Sequence, residues 1–270
     1  MNPAQLLDRG RWLPRRGRRR RFLGYRLLIQ QTIAGPGAER DAIDVSESGL
    51  VDGILFQPVT LSAADISTIG GRKHPLVLLG EEEAPPEFDR VMIDNVAAAA
   101  EAVAVIAALG RRRIAYLGIE PEPLTAATVD RTAGYRAGMR DAGLPVTKNR
   151  LLPLDGLQPS DGERAVRRAI ERGLRFDGLL CRDDGLAVGA LRALRAADVC
   201  VPDDVAVVGW DGDAVGAFLE TSLTTVSPDT DAIVGTALDF LTERIEGYTG
   251  PGRHVIAPHT IVFRESAPGA

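Results

Sequence analysis

From Tyr25 onward, short apolar runs alternate along the chain with stretches in which apolar residues recur every three or four positions. A short apolar run is typical of a buried strand, and the longer spaced pattern is typical of an amphipathic helix. Capping residues and glycines mark where the helices begin and end. In the first part of the chain, this pattern predicts strands at 25–31, 51–57 and 75–80 and helices at 37–49, 62–71 and 95–109, the last capped by Asn95.

A second series of the same kind follows. It predicts strands at 113–118, 176–181, 205–209, 254–257 and 260–264 and helices at 128–142, 160–172, 184–197 and 229–246. Continuous apolar strands that alternate with helices indicate parallel sheets covered on both faces. Because there are more strands than one compact sheet needs, we predict an α/β fold with two similar lobes. Ligands bind beyond the carboxyl ends of strands in such sheets.

Composition narrows the class of protein. The chain has 270 residues, of which 45% are hydrophobic and 26% are charged, as in ordinary globular proteins. The longest apolar candidate, 97–109, is interrupted by Glu101 and falls short of the roughly 20 residues that span a bilayer. No signal-peptide pattern is visible. We therefore expect a cytoplasmic protein with no membrane partner, in which Cys181 and Cys200 are reduced.

Charge is distributed unevenly. Residues 1–26 hold nine arginines and one acid, Asp8, which gives +8; the whole chain carries −5, so residues 27–270 carry −13. The Arg-rich segment at 1–23 has no apolar periodicity, so we interpret it as disordered or non-native sequence, with a nucleic-acid-binding arm as the alternative. An acidic body does not attract nucleic acid through its overall field.

Carboxylates cluster after three predicted strands. Asp183 and Asp184 follow one strand, Asp211 and Asp213 follow another, and Glu81–Glu83 follow a third, while Arg131 lies in the helix after Gly118. Carboxylates accept hydrogen bonds from hydroxyls and a guanidinium donates in a fixed fork, so the set suits a neutral polyol or sugar. Glycoside hydrolysis and a divalent ion remain open, and helix capping explains Asp183 or Asp184 equally well.

Motifs for common cofactors and nucleophiles are absent. No Gly-rich dinucleotide or phosphate loop follows a strand, no Gly-x-Ser-x-Gly elbow occurs, and the three histidines show no metal-ligand spacing. We therefore expect no cofactor, no metal and no enzymatic activity.

Several segments resemble the lactose/galactose-repressor (LacI/GalR) family of bacterial transcriptional regulators. The resemblance covers about 24–266, and its most specific signal is a pair of strings in fixed order. The strings are VPDDVAVVGWD at 201–211 and LTTV at 223–226, preceded by VDGIL at 51–55, IDN at 93–95, GRRRIAYLG at 110–118, RTAGYRAGMRDAG at 131–143 and CRDDGLAVGA at 181–190.

The resemblance implies a fold like that of type I periplasmic binding proteins, with a ligand cleft between two lobes joined by three crossings. The lobes would comprise 24–111 with 227–250, and 112–226 with 251–266. Effector-binding roles would fall on Arg131, Asp211, Asp183, Asp184 and Glu83. The effector would be a sugar or nucleoside, and the protein would be a homodimer that contacts operator DNA only in a full-length form.

Departures from the family pattern concern the amino-terminal region. The family's helix-turn-helix and the first strand of lobe one are not recognisable before Gly24, which suggests a truncated or mis-started reading frame. The leading hypothesis is the effector-sensing core of a regulator. The alternatives are a solute-binding protein for sugar uptake and an enzyme that uses the aspartates on a sugar.

Overall fold

The computed structural model describes residues 25–32, 36–46, 49, 51–69, 74–80, 84–122 and 124–269. Two of the sequence-based predictions lie outside these residues, the Arg-rich segment at 1–23 and the effector contact at Glu83. Within the described residues, no helix is long and apolar enough to cross a membrane.

Helices and strands alternate along most of the chain. The helices are α1 (Pro36–Ser46), α2 (Ala63–Ile69), α3 (Asn95–Ala108), α4 (Ala126–Asp141), α5 (Pro159–Glu171), α6 (Asp184–Ala196) and α7 (Thr230–Ile245). The strands are β1 (Ile54–Phe56), β2 (Leu76–Leu79), β3 (Asp89–Ile93), β4 (Ile114–Ile119), β5 (Leu151–Pro153), β6 (Gly178–Cys181), β7 (Ala206–Trp210), β8 (Thr224–Pro228), β9 (His254–Ala257) and β10 (His259–Val262). Two 3₁₀ turns lie at Lys148–Arg150 and Ala214–Phe218.

The chain forms two compact units and passes between them three times. The first unit takes the described residues up to Met92 together with Asp229–Ala257, and the second takes Ile93–Pro228 and the chain from Pro258. These boundaries differ from the lobe boundaries expected near 111, 226 and 250. The reason is that α3 packs against α4 in the second unit, whereas β9 lies beside β3 in the first.

The first unit is built on a four-stranded sheet in the order β1-β2-β3-β9. β1 pairs with β2 and β2 pairs with β3 in parallel, and apolar side chains of α1, α2 and these strands form its core. The buried Asp89 carboxylate at the start of β3 accepts hydrogen bonds from Arg244 and Arg253. Burial raises the pKa of Asp89, but the guanidinium partners outweigh this effect and lower the pKa to about 2.

The second unit is built on a six-stranded sheet in the order β10-β8-β7-β6-β4-β5. All neighbouring pairs are parallel except β10 with β8, which is antiparallel. Every residue of β6 and β7 is buried, as the continuous apolar runs predicted for strands covered on both faces. Because β7, β6 and β4 are adjacent and parallel, their carboxyl ends meet at one edge of the sheet.

The predicted strand at 25–31 is wrong. Residues 25–32 form neither helix nor strand, and the apolar side chains of Leu27, Leu28 and Ile29 are at least half exposed. A strand is stable only when its backbone groups pair with a neighbour and its apolar side chains pack on a core, and this segment does not pack its apolar side chains. The composition of this segment is typical of a strand, but the tertiary contacts that stabilise a strand are not formed by its apolar side chains.

Candidate functional site

Charged side chains gather where three strands of the second unit end. Glu120 follows β4, Arg182 and Asp183 follow β6, and Asp211 follows β7. We call these residues, together with Arg131, Asp184, Asn95 and Trp210, the candidate site. The sequence-predicted residues Arg131, Asp183, Asp184 and Asp211 all belong to this one sheet edge, whereas Glu83 stays a prediction.

Arg131 is held rigidly although it is almost fully buried, with 2% of its surface exposed. Its Nε donates to Asn95 Oδ1 at 2.9 Å, and its Nη1 donates to the carbonyl oxygen of Arg182 at 2.5 Å. The guanidinium carbon lies 4.2 Å from the centroid of the Trp210 ring, a cation–π contact. A buried cation fixed from three sides in this way is pre-organised for a polar ligand.

Gly134 explains how Arg131 reaches Asn95. Helix α4 crosses α3 so closely that a Cβ atom at Gly134 would lie 2.3 Å from the Val96 carbonyl oxygen. Only glycine permits this approach, which brings Arg131, one turn earlier on α4, against the first residue of α3. The Arg-x-x-Gly spacing at 131–134 is therefore a packing requirement of the candidate site.

Asp183 is the N-cap of α6. Its Oδ1 accepts from the Leu186 backbone N–H at 2.8 Å, and its Oδ2 lies 3.4 Å from Arg182 Nη1. Burial raises the pKa of Asp183, and the nearby Asp211 carboxylate adds to that rise, while the hydrogen bond from Leu186 opposes it. The capping explanation left open by the sequence thus describes what this side chain does.

Asp184 holds the loop after β7 in place. Its Oδ1 accepts from the Thr225 hydroxyl and its Oδ2 accepts from the Asp213 backbone N–H, both at 2.7 Å. The carboxylate also packs closely against Gly209, where a Cβ atom would lie 2.2 Å from Asp184 Oδ1. Burial is the largest cause that raises the pKa of Asp184, the two hydrogen bonds oppose it, and the charges of Asp211 and Asp213 add to the rise, so that the pKa is about 7.

Asp211 has a backbone conformation that non-glycine residues rarely adopt, with φ at 104°. Its N–H donates to the Val226 carbonyl at 2.9 Å, and the next N–H, of Gly212, donates to the Thr225 hydroxyl at 3.3 Å. Such a conformation persists only when its surroundings enforce it, and it is concentrated at ligand sites. The network around Asp184 and Thr225 supplies that enforcement.

Arg182 and Glu120 were missed by the sequence analysis. Arg182 Nε donates to the Thr128 hydroxyl at 3.0 Å, and its Nη2 lies 3.6 Å from Glu120 Oε2. Glu120 in turn accepts from the Thr125 N–H and hydroxyl at 2.6 Å, and these contacts lower its pKa although burial opposes them. Their position directly after β6 and β4 was the signal that could have found them.

Asn95 and Trp210 were also missed as site residues. Asn95 was predicted to cap α3, but the cap is Asp94, whose Oδ1 accepts from the Ala97 N–H at 2.8 Å. The Asn95 amide nitrogen and the Trp210 indole nitrogen are buried without a hydrogen-bond partner among the described residues. Both side chains contact Arg131, so donors without hydrogen-bond partners lie on two sides of its guanidinium.

The arrangement brings hydrogen-bond donors and carboxylate acceptors together at one edge of the sheet. In the part of the chain that the structure describes, no group of three or more His, Cys, Asp or Glu side chains is placed to hold a metal ion. Donors from Arg131, Asn95 and Trp210 beside acceptors from Asp211 and its neighbours match a ligand with several hydroxyl groups.

Comparison with known proteins identifies the family of the chain. The model of the periplasmic binding protein-like domain family matches residues 103–267, which is more than half of the chain. A solved structure of a LacI-family transcriptional regulator from Sanguibacter keddieii is 35% identical, with a TM-score of 0.81 over 90% of this chain and 87% of that one.

Two further relatives extend the comparison. The HTH-type transcriptional regulator RegA of Clostridium saccharobutylicum is 25% identical over 90% of this chain, which spans 72% of that regulator's length. The transcriptional regulator CelR, solved as a cellobiose complex, is 27% identical with a TM-score of 0.75, over 86% of this chain and 71% of that chain. The chain therefore belongs to the LacI/GalR family of transcriptional regulators, and its two units form that family's effector-binding domain.

Proposed function

We propose that the protein senses a neutral polyhydroxylated effector, a sugar or a nucleoside, at the candidate site of the second unit. Arg131 is the principal donor and Asp211 is the principal acceptor for ligand hydroxyls. The cellobiose complex of the related CelR supports a sugar as the class of effector.

The observation that carries the proposal is the set of buried donors around Arg131. A buried N–H without a hydrogen-bond partner costs roughly 1–3 kcal/mol, so such groups are rare in folded proteins. Here the amide of Asn95 and the indole of Trp210 are in this condition beside one fixed guanidinium. A ligand with several hydroxyl oxygens would satisfy them together, which an apolar molecule cannot do.

Asp183 and Asp184 support the site rather than supply its strongest contacts. The oxygens of Asp183 are used by the α6 cap and Arg182, and both oxygens of Asp184 hold Thr225 and the 211–213 loop. Asp184 therefore positions Asp211, and the two are coupled through the loop. The effector contact that the family resemblance implies for Glu83 stays a prediction.

Sensing an effector is meaningful in this family because it regulates transcription. We propose that the protein acts as a homodimer and that operator DNA is bound by a helix-turn-helix segment of the kind its relatives carry, in a full-length form. Solute uptake is not favoured as an alternative, since the relatives are transcriptional regulators. An enzymatic role on a sugar has no support from these relatives either.

Titration calorimetry with a panel of neutral sugars and nucleosides tests the proposal. We expect at least one member to bind, and we expect Arg131→Ala to weaken its affinity by about tenfold to a hundredfold, because charge-assisted hydrogen bonds contribute roughly 1.5–3 kcal/mol each. Arg140→Ala is the matched control, since Arg140 lies on the same helix and is exposed. If no member of the panel binds, or if Arg131→Ala binds as tightly as wild type, the proposal is wrong.

A further inference from the structure

A second concave site lies in the second unit, apart from the candidate site. It is a groove of about 960 Å³ over the edge strand β5, lined by α4, α5 and the ends of β4 and β5. Its apolar lining includes Ile119, Val129, Leu151 and Leu174. None of Arg131, Asp183, Asp184 or Asp211 takes part in it.

Cations surround this groove. Its lining contains seven basic side chains and no aspartate or glutamate, in a protein whose net charge is −5. We call it the basic groove. A cleft lined by one sign of charge focuses the electric field and concentrates counter-ions of the opposite sign. The groove therefore attracts anions although the chain as a whole is acidic.

Most of these cations have no acidic partner. Two are paired at the margin, Arg113 with Asp177 at 3.1 Å and Arg168 with Asp155 at 2.8 Å. The other five make no ion pair with any of the described residues. They are Arg136, Lys148, Arg150, Arg172 and Arg175.

One atom of the Arg150 side chain also lacks a hydrogen-bond partner. Its Nη1 nitrogen is buried and has no hydrogen-bond partner within the described ranges. Arg150 stands in the 3₁₀ turn that leads into β5, so its backbone is fixed beside the groove. A guanidinium donates in a planar fork that fits two oxygens of a phosphate, which makes this nitrogen suited to an anionic ligand.

Ordinary helix electrostatics does not account for the cluster. Basic residues are favourable near a helix carboxyl terminus, which explains Arg172 and in part Arg175, just after α5. Arg136 lies well inside α4, and Lys148 and Arg150 lie in a 3₁₀ turn. Three elements thus bring uncompensated positive charge to one concavity, where the charges repel each other unless an anion is bound.

We propose that the basic groove is a second ligand site, which binds a small organic molecule that carries several phosphate groups and a flat ring with apolar faces, as a nucleotide does. The arginines and the lysine bind the phosphates, and the apolar lining covers the body of the molecule. The site is independent of the polyhydroxyl effector, because the two sets of residues do not overlap. A ligand bound to a second site couples to the first only if it favours one conformation, and its effect on the effector's affinity would be reciprocal.

Calorimetry with ATP, tripolyphosphate and adenosine tests this proposal on the whole chain. We expect ATP to bind with a dissociation constant in the micromolar range, tripolyphosphate to bind at least about tenfold more weakly because it lacks the base, and adenosine not to bind the groove. ATP affinity should fall as salt rises, since screening weakens charge–charge attraction.

Paired double variants locate the binding. Arg136→Gln with Arg175→Gln removes two unpaired groove cations and should weaken ATP binding by at least about tenfold. Arg140→Gln with Arg192→Gln changes the net charge equally at exposed positions outside the groove and should leave ATP binding unchanged. A cooperative thermal unfolding transition shows that each variant is folded, and stabilisation by ATP should be smaller in the groove variant than in the control.

Four results would overturn the proposal. One is the absence of saturable ATP binding up to about 1 mM. Another is an equal loss of affinity in both double variants, which would indicate general charge attraction. Tripolyphosphate that binds as tightly as ATP would refute the apolar contribution. Duplex DNA that binds in a groove-dependent way where ATP does not would assign the surface to nucleic acid instead.

Discussion

The carboxylate of Asp184 lies between the start of α6 and the loop after β7, where only 1% of the residue is exposed. Its charge is supported by two hydrogen bonds, from Thr225 and Asp213, and opposed by burial and by the carboxylates of Asp211 and Asp213. The balance raises its pKa from 3.8 to about 7. Between pH 3.8 and about pH 7, the group is protonated in the folded protein although it would be ionised in the unfolded chain.

This pKa predicts a pH dependence of stability. Between about pH 4 and pH 7, the folded state binds a proton at Asp184 that the unfolded state does not, so the free energy of unfolding falls as pH rises. The total fall is up to about 4 kcal/mol, because one pKa unit corresponds to roughly 1.4 kcal/mol. Asp184→Asn should remove that slope. Urea unfolding at a series of pH values, compared between wild type and variant, measures the difference.

The difference between the slopes of wild type and variant isolates the contribution of Asp184, because the two proteins share every other titrating group. The variant also loses one of the two acceptor contacts, which shifts its stability by an amount that does not depend on pH. A variant that keeps the full wild-type slope between pH 4 and 7 would show that Asp184 is ionised throughout this range and that its pKa is not raised.

Single residues were predicted unevenly from the sequence. Arg131 and Asp211 were predicted because one lies in the helix after a strand, the other directly follows a strand, and both match family motifs. Asn95 and Trp210 were missed because their site contacts depend on the crossing of α3 with α4 and on a stacked guanidinium, which spacing along the chain does not reveal. Arg182 was not predicted because its contacts with Thr128 and Glu120 come from other elements of the unit.

At the scale of elements, close packing of α4 on α3 decides where Arg131 lies. Gly134→Ala should destabilise the protein by about 1–3 kcal/mol, because the added methyl group would overlap the Val96 carbonyl oxygen and force the helices apart. Gly235→Ala is the matched control in α7, where nothing lies within 4 Å of the added atom. It should stabilise the protein by roughly 0.5–1 kcal/mol through helix propensity.

Thermal and urea unfolding of the two variants measure this contrast. The two glycines are alike in sequence context, since both lie inside predicted helices, and only the structure separates them. Equal effects of the two substitutions would contradict the account of how α3 and α4 approach each other.

Elements with a continuous apolar run were predictable, and elements defined by their neighbours were not. The strands at 114–119 and 178–181 and the helices around them lie where the pattern placed them within two residues. β3 was not predicted, because its first residues are Asp89 and Arg90, and the buried Asp89 is tolerated only through its contacts with distant arginines. The predicted strand at 25–31 failed for the opposite reason, since its composition suits a strand but it lacks the packing.

At the scale of the whole molecule, the family resemblance predicted two lobes joined by three crossings. The periodicity of apolar residues alone predicted only that there are two lobes. The exact crossing points depend on which sheet β9 joins and on which helix packs against α3. Both are tertiary contacts. The sheet order explains why Asp183 and Asp211 share one edge, because adjacent parallel strands end there.

Exposed apolar side chains in the second unit support the proposed homodimer. Phe218 is 85% exposed and Val215 is 54% exposed in the 3₁₀ turn after β7. Phe218→Asp should raise the dimer dissociation constant by about a hundredfold or more, since a charge buried at an interface without a partner is strongly unfavourable. Sedimentation velocity at micromolar concentration measures it.

Val129→Asp is the control for this substitution, because Val129 is half exposed in the same unit but lies in the basic groove. It should leave the dimer intact. A folded wild-type protein that sediments as a monomer, or a Phe218→Asp variant that remains dimeric, would refute the proposed interface.

The central claim is that ligand hydroxyls are bound by Asp211 and not by the neighbouring helix cap. Titration calorimetry of Asp211→Asn and Asp183→Asn with the sugar or nucleoside that binds wild type tests it most directly. Asparagine is as good an N-cap as aspartate, so Asp183→Asn should keep the wild-type affinity. Asp211→Asn should weaken binding by about tenfold to a hundredfold. Unchanged affinity in Asp211→Asn, or an equal loss in both variants, would contradict the account.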